Sequence, residues 1–143
     1  MKAGFSAEIV GGYAPKSVQN PETPSGGIVT NSLDGDFIKN ITDLILQHNE
    51  DDNFGLEDMA KMMRISRSTL YRKIKEITGL HPNEFIRVTR LKFAASLLDT
   101  GVYRIQEVCY LSGFNSPSYF AKCFQQQFNI SPKGYLKRKS LNQ

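Results

Sequence analysis

Four side chains in the stretch "SRSTLYRKIKEITG" have the types and spacing to hold an anion: Ser68, Tyr71, Arg72 and Lys75. At 100° per residue Ser68, Arg72 and Lys75 fall on one side of a helix, with Tyr71 on its flank. Leu70, Ile74 and Ile77, at i, i+4 and i+7, fall on the other. A guanidinium or ammonium group pairs with phosphate or with guanine O6/N7, and a hydroxyl donates to phosphate or to a base edge. Bond-breaking chemistry would need other residues. The chain shows no P-loop, no GxSxG, no HExxH and no carboxylates paired on a common face, so the set is read as a binding set and not a catalytic one.

The pattern occurs twice. Fifty residues on, "NSPSYFAKCFQQQFNISPKGY" puts Ser116 on Ser66, Ser118 on Ser68, Phe120 on Leu70, Lys122 on Arg72, Phe124 on Ile74 and Pro132 on Pro82. Ahead of each copy stands a shorter amphipathic piece. "RIQEVCYLSGF" echoes "GLEDMAKMMRI" at an offset of 49, with Ile105, Val108 and Cys109 in the places of Leu56, Met59 and Ala60. The second connection is therefore one residue longer. Each unit reads as helix, short turn, then a helix with a polar, cationic outer face. That geometry lets a second helix enter a DNA major groove while the first crosses the backbone. Ser66 and Ser116 are natural N-caps, and they place helix N-termini where a backbone phosphate would lie.

The elements that position these side chains follow from apolar periodicity. Residues 1–33 are rich in Gly, Pro, Ser, Thr and Asn without an apolar period, and are read as a flexible linker or an expression remnant. Phe37, Ile41, Leu44, Ile45 and His48 predict a helix capped by Asp34 or Asp36. Leu56, Met59, Ala60 and Met63 predict the short helix of the first unit, and Gly79 stops the next one. From Pro82 to about Leu98 a longer helix, roughly 25 Å at 1.5 Å per residue, is apolar on several sides, as if packed on more than one. Arg87, Arg90 and Lys92 mark its exposed remainder. The expected fold is all-α, with a first helix-turn-helix subdomain at 34–80, a connecting helix at 81–99 and a second subdomain at 100–140.

Charge is partitioned along the chain. Up to Arg64 five Lys/Arg stand against ten Asp/Glu, and from Ile65 thirteen stand against four, so a net −5 is followed by a net +9. A basic half suggests a polyanionic partner, either nucleic acid or an anionic membrane surface. A basic RNA- or membrane-surface-binding module is thus the alternative to duplex DNA. The lack of an exposed aromatic platform argues against RNA, and the apolar stripes are committed to a core rather than to a bilayer. Cys109 on an apolar face is read as a buried structural thiol, and Cys123 as a neighbour of the recognition face. His48 and His81 serve packing or capping, with no second ligand at i+3 or i+4, so no metal and no cofactor are expected. No secretion signal is read in "MKAGFSAEIVGGYAP", and a cytoplasmic location is expected.

Together, "SRSTLYRKIKEITGLHPNEFIRVTRLKFAASLLDTG" and "IQEVCYLSGFNSPSYFAKCFQQQFNISPKGYLKR" resemble the DNA-binding domain of the AraC/XylS family of bacterial transcription regulators, over about residues 36–140. The resemblance implies about seven helices and two lobes reading successive major grooves of double-stranded DNA. Recognition helices would run over about 67–78 and 117–128. Carried over by motif position, the base-facing residues are Arg67, Ser68, Tyr71 and Arg72 in the first lobe, and Pro117, Ser118, Ala121 and Lys122 in the second. Lys75 and Ser116 complete the expected DNA-contacting set. Pro117 and Ala121 offer no side-chain hydrogen bond, so the second lobe is expected to use thymine methyls or phosphates. "LYRKIKEITG" followed by "PNEFIR" is also similar to output domains that end hybrid two-component sensors. Upstream sensor and receiver domains, absent from this chain, and RNA polymerase are the further partners such a regulator implies. With no membrane contact of its own, the isolated domain is expected to be a monomer.

Overall fold

The computed structural model describes residues 32–51 and 53–141; the linker reading of residues 1–33 lies outside them except at Ser32 and Leu33, which begin a helix instead. The described residues form seven helices and no strand: α1 Ser32–Gln47, α2 Leu56–Met63, α3 Arg67–Thr78, α4 Pro82–Thr100, α5 Ile105–Leu111, α6 Pro117–Phe128 and α7 Pro132–Leu141. The all-α, two-unit expectation is met, and both recognition helices span the residues the repeat assigned to them. One boundary differs. Helix α1 begins at Ser32, ahead of the expected caps, so Asp34 lies within its first turn. A carboxylate there still favours the helix, because it faces the positive end of the dipole.

Helices begin and end where the side chains can satisfy the free backbone groups. Ser66 accepts from Thr69 N–H at 3.1 Å to start α3, and Ser116 accepts from Tyr119 N–H at 3.3 Å to start α6. Each such cap replaces a water hydrogen bond that the first turn would otherwise need. An acid three residues into the helix serves α2, α4 and α5. Asp58, Glu84 and Glu107 accept from the N–H groups of Gly55, His81 and Arg104. The stops also repeat. Gly79 at φ 77° gives its N–H to Lys75 O at 2.9 Å, and Asn129 at φ 60° gives its own to Gln125 O at 2.8 Å. Glycine enters that left-handed region freely, and asparagine tolerates it better than most residues.

Two cores sit on one long helix. The first gathers Ile38, Ile41 and Ile45 of α1, Met59 and Ala60 of α2, and Leu70 and Ile74 of α3 against Phe85 and Ile86 of α4. The second gathers Val108 and Cys109 of α5, Phe114, and Phe120 and Phe124 of α6 against Leu91, Ala94 and Leu98, farther along the same helix. Helix α4 is apolar on several sides because it serves these cores in turn. The handover falls between Ile86 and Leu91. Here the sequence expectation for Arg90 fails: it is not on the exposed remainder of the helix but buried, 7% exposed, donating from Nη2 to the Asp51 carbonyl at 3.3 Å. A guanidinium carries five donors, so it tolerates burial where backbone carbonyls meet it.

The second unit differs from the first by the one residue the offset required. Helix α5 is one residue shorter than α2, and the connection to α6 is two residues longer. The extra length contains Ser112, whose hydroxyl donates to the Val108 carbonyl, and Gly113 at φ 91°. Cys123, read as a neighbour of the recognition face, points into the second core and is buried, as is Cys109. Burial raises the Cys109 thiol pKa above its usual value, and its Sγ donates to the Phe114 carbonyl at 3.5 Å. Neither placement suits a reactive thiol.

Candidate nucleic-acid interface

Burying Leu70 and Ile74 fixes which way α3 faces, and the rotation leaves Arg67, Ser68, Tyr71, Arg72 and Lys75 exposed together. Arg72 reaches only a loose pairing with Glu76, at 4.0 Å and in open solvent on both sides. An exposed pair of this kind is worth little, so a phosphate or guanine can replace Glu76 cheaply. Ser68 lies 3.3 Å from the Ser66 hydroxyl, which itself donates to Thr69 Oγ1 at 2.8 Å. Tyr71 is 37% exposed, and its hydroxyl shares a 2.7 Å hydrogen bond with Nδ1 of His81, the residue preceding α4. That contact holds the ring against the start of the next helix. Its hydroxyl is engaged within the protein. Lys73 turns instead toward α1, with its ammonium 5.0 Å from the centre of the Phe37 ring.

Helix α6 shows the same rotation with a different surface. Phe120 and Phe124 are fully buried, leaving Pro117, Ser118 and Lys122 exposed. Ser116 and Ala121 are half-buried, so these two of the expected contact residues present less of themselves. The Ser116 hydroxyl oxygen accepts the capping bond, and Ser118 lies 3.4 Å away, where either hydroxyl can donate to the other. Gln125 and Gln126 are exposed on the same helix and were missed in the sequence. The repeat contained the signal, because Gln125 stands fifty residues after Lys75. A glutamine amide can pair bidentately with adenine N6/N7. Tyr119 is 51% exposed and lies against Phe114, with ring centres 6.2 Å apart. A hydrogen bond with the Cys123 thiol raises its phenol pKa above the ordinary value, while nearby Arg87 works in the opposite direction.

The two faces carry unequal charge. Along α3 four cations stand against Glu76, and along α6 Lys122 is the one charged residue. Beyond these helices, Arg104, Lys133, Lys137 and Arg138 are exposed, and Lys139 pairs with Asp99 at 3.4 Å. Among the described residues no group of three or more His, Cys, Asp or Glu could hold a metal, and no helix is long and apolar enough to cross a membrane. Both histidines have packing or capping positions. His48 stacks on Phe54 with ring centres 4.3 Å apart, and His81 precedes α4.

Comparison with known proteins adds the family. Residues 59–138 match the model of a helix-turn-helix domain family. Histidine kinase P4 of Formosa agariphila is 40% identical over 118 residues, which is 82% of this chain but only 8% of the kinase's length. The crystal structure of the DNA-binding domain of AdpA, a global transcriptional factor in complex with a target DNA, is 27% identical and superposes with a TM-score of 0.66. The match covers 74% of this chain and 95% of that one. A transcriptional regulator with an AraC-type DNA-binding domain from Chromobacterium violaceum shares the fold. Its TM-score is 0.69 at 24% identity, with 77% and 97% of the two chains covered.

Proposed function

The chain belongs to the helix-turn-helix domain family, in its AraC type, and from that premise we propose that it is the sequence-specific duplex-DNA-binding output unit of a bacterial transcription regulator. In this reading α3 and α6 enter successive major grooves. Arg67, Arg72 and Lys75 take phosphate or guanine. Ser68 and Ser118 donate to phosphate or a base edge, and Lys122 anchors the second helix to the backbone. Pro117 and Ala121 meet thymine methyls, and the N-termini of α3 and α6 face phosphates.

The observation that carries this is the doubling. Two twelve-residue helices, each capped by a serine and each rotated by a buried core, present a polar outer face fifty residues apart in register. A lone helical corner would carry no such weight. Such a surface binds rather than catalyses. The kinase likeness favours an upstream sensor and receiver on the whole protein, with RNA polymerase as the partner addressed once DNA is held. Such a unit works in the cytoplasm. By itself the domain is a monomer, and the upstream domains would pair two such units and raise their effective concentration on adjacent sites.

Selection from random duplexes followed by footprinting tests the reading. The expected result is one enriched sequence with two protected major-groove segments about 10 base pairs apart. No enrichment over random duplex, or equal retention on single-stranded RNA or anionic vesicles, would overturn it.

A further inference from the structure

At the handover between the two cores, three pieces of chain distant in sequence meet. Arg90 comes from the middle of α4, Asn49 and Asp51 from the segment after α1, and Gly113 from the α5–α6 connection. The guanidinium donates to the Asp51 carbonyl of the first lobe. Its other side lies against Gly113 of the second lobe, where a Cβ would sit 2.8 Å from Nε, 2.9 Å from Cζ and 2.6 Å from the Asn49 carbonyl oxygen. No real side-chain carbon approaches backbone that closely, so only glycine lets the second unit's turn seat here. Its φ of 91° adds a second, independent demand for glycine. Asn49 is 4% exposed, and neither atom of its side-chain amide has a hydrogen-bond partner among the described residues.

We infer that Arg90, seated between the Asp51 carbonyl and Gly113, is the positioning residue that sets the angle between the two recognition helices, and so the spacing of DNA segments the domain reads together. The inference rests on the DNA-binding reading above. Its physical basis is directional contact. An apolar joint between lobes would tolerate sliding, because hydrophobic burial has no preferred direction. A planar guanidinium fixed on one side by a carbonyl and covered on the other by a glycine backbone allows one seating. The recognition helices are anchored in separate cores, so the shared α4 and this joint connect their orientations. Neither Arg90 nor Gly113 belongs to either exposed recognition face, so a change at the joint leaves both binding surfaces as they are.

The test compares wild type with Arg90→Lys and Gly113→Ala on three duplexes obtained with the wild-type chain. They are the selected two-segment sequence, the same with one segment randomised, and the same with one base pair inserted between segments. For wild type, randomising one segment or inserting a base pair should weaken binding at least about tenfold. In the variants one-segment affinity should stay within about threefold of wild type, while the two-segment advantage falls about tenfold and the penalty of insertion shrinks. Variants that keep both the advantage and the spacing penalty would overturn the inference, as would one- and two-segment binding lost in parallel by folded protein. Residual dipolar couplings on the DNA-free domain give a second readout that covers a poorly folding variant. Arg90→Lys or the uncharged Arg90→Gln should change the relative alignment of α3 and α6 while each lobe keeps its internal couplings. Unchanged alignment in both also overturns it. Failure of the wild-type chain to discriminate any duplex would instead remove the DNA reading itself.

Discussion

Removing cations one at a time should lower the salt dependence of DNA binding by a fixed step, and the structure bounds how large the total can be. Thirteen Lys/Arg follow Ile65, but Arg90 is buried, Arg87 and Lys92 are half-buried, Lys139 is paired with Asp99, and Lys73 turns to Phe37. The exposed cations are Arg67, Arg72, Lys75, Arg104, Lys122, Lys133, Lys137 and Arg138. If only the four on α3 and α6 neutralise phosphates, log K falls against log salt with a slope of about −3.6, or about 150-fold between 50 and 200 mM. With all eight engaged the slope is about −7 and the loss on the order of 10⁴-fold. Fluorescence anisotropy on the selected duplex across that range should give a slope between these limits. Lys122→Ala should make it shallower by about 0.9. Arg72→Ala should do the same if it holds phosphate, or leave the slope and lose about 1–3 kcal/mol at one base pair if it is bidentate to guanine. A slope shallower than about −2 for the wild-type chain would refute the phosphate-contact assignment, since even half of the recognition-helix cations would not then be engaged.

Four further outcomes are expected. Ser66→Ala and Ser116→Ala should each cost about 1 kcal/mol in thermal or denaturant melts. The loss should be larger at Ser66, whose hydroxyl also donates to Thr69; equal losses would count against that extra bond. Burial, with the 2.6 Å hydrogen bond to Asp99, raises the Tyr135 pKa well above the ordinary phenol value. Its stabilisation is therefore complete below about pH 10, the unfolded value, and is lost as pH rises beyond it. Melts of wild type and Tyr135→Phe should differ by a constant amount below pH 9 and converge at more alkaline pH. Gln125→Ala should relax preference at a single position of the second segment, costing about 1–3 kcal/mol there if it reads adenine, as a repeat of the duplex selection would reveal. Sedimentation velocity at micromolar concentration without DNA should give a monomer; a stable dimer would remove the dependence on upstream pairing.

Both recognition helices were readable to the residue because their ends are written in local chemistry. A serine that bonds the third residue on, and a glycine or asparagine that enters the left-handed region, act within a few residues of themselves. The start of α1 was misplaced because Asp34 and Asp36 suit an N-cap and a first helical turn equally well, and nothing local separates the two. Arg90 was misread for a different reason. Its burial depends on the Asp51 carbonyl, 39 residues away, and on a glycine in the opposite lobe. Helical periodicity places a side chain on a face, but it does not say that the face meets a backbone carbonyl. Cys123 does neighbour the recognition face, but one residue beside an outward position can already turn inward, and it is buried. Gln125 carries no charge, so only its position in the repeat, fifty residues after Lys75, marks it.

The repeat raises a problem that the differences between its copies resolve. Two similar lobes held at a fixed angle could settle on a duplex in either of two polarities, and the joint at Arg90 sets their angle without choosing between them. The outer faces do choose. Helix α3 brings the exposed cations Arg67, Arg72 and Lys75 against Glu76, together with Ser68 and Tyr71, whereas α6 brings Lys122 with Pro117, Ala121 and Gln125. In the reversed pose α3 would meet the segment suited to methyl contact and α6 the one suited to guanidinium pairing. Each mismatched contact of that kind costs about 1–3 kcal/mol. Two or three such mismatches already disfavour the reversed pose by about 30-fold or more, since 1.4 kcal/mol is tenfold. The lobes are alike where they must pack and unlike where they must read. On the proposed contacts, that division would let one fold unit, used twice, bind DNA in a single direction, which an output unit needs if upstream domains or a polymerase are to approach from a defined side.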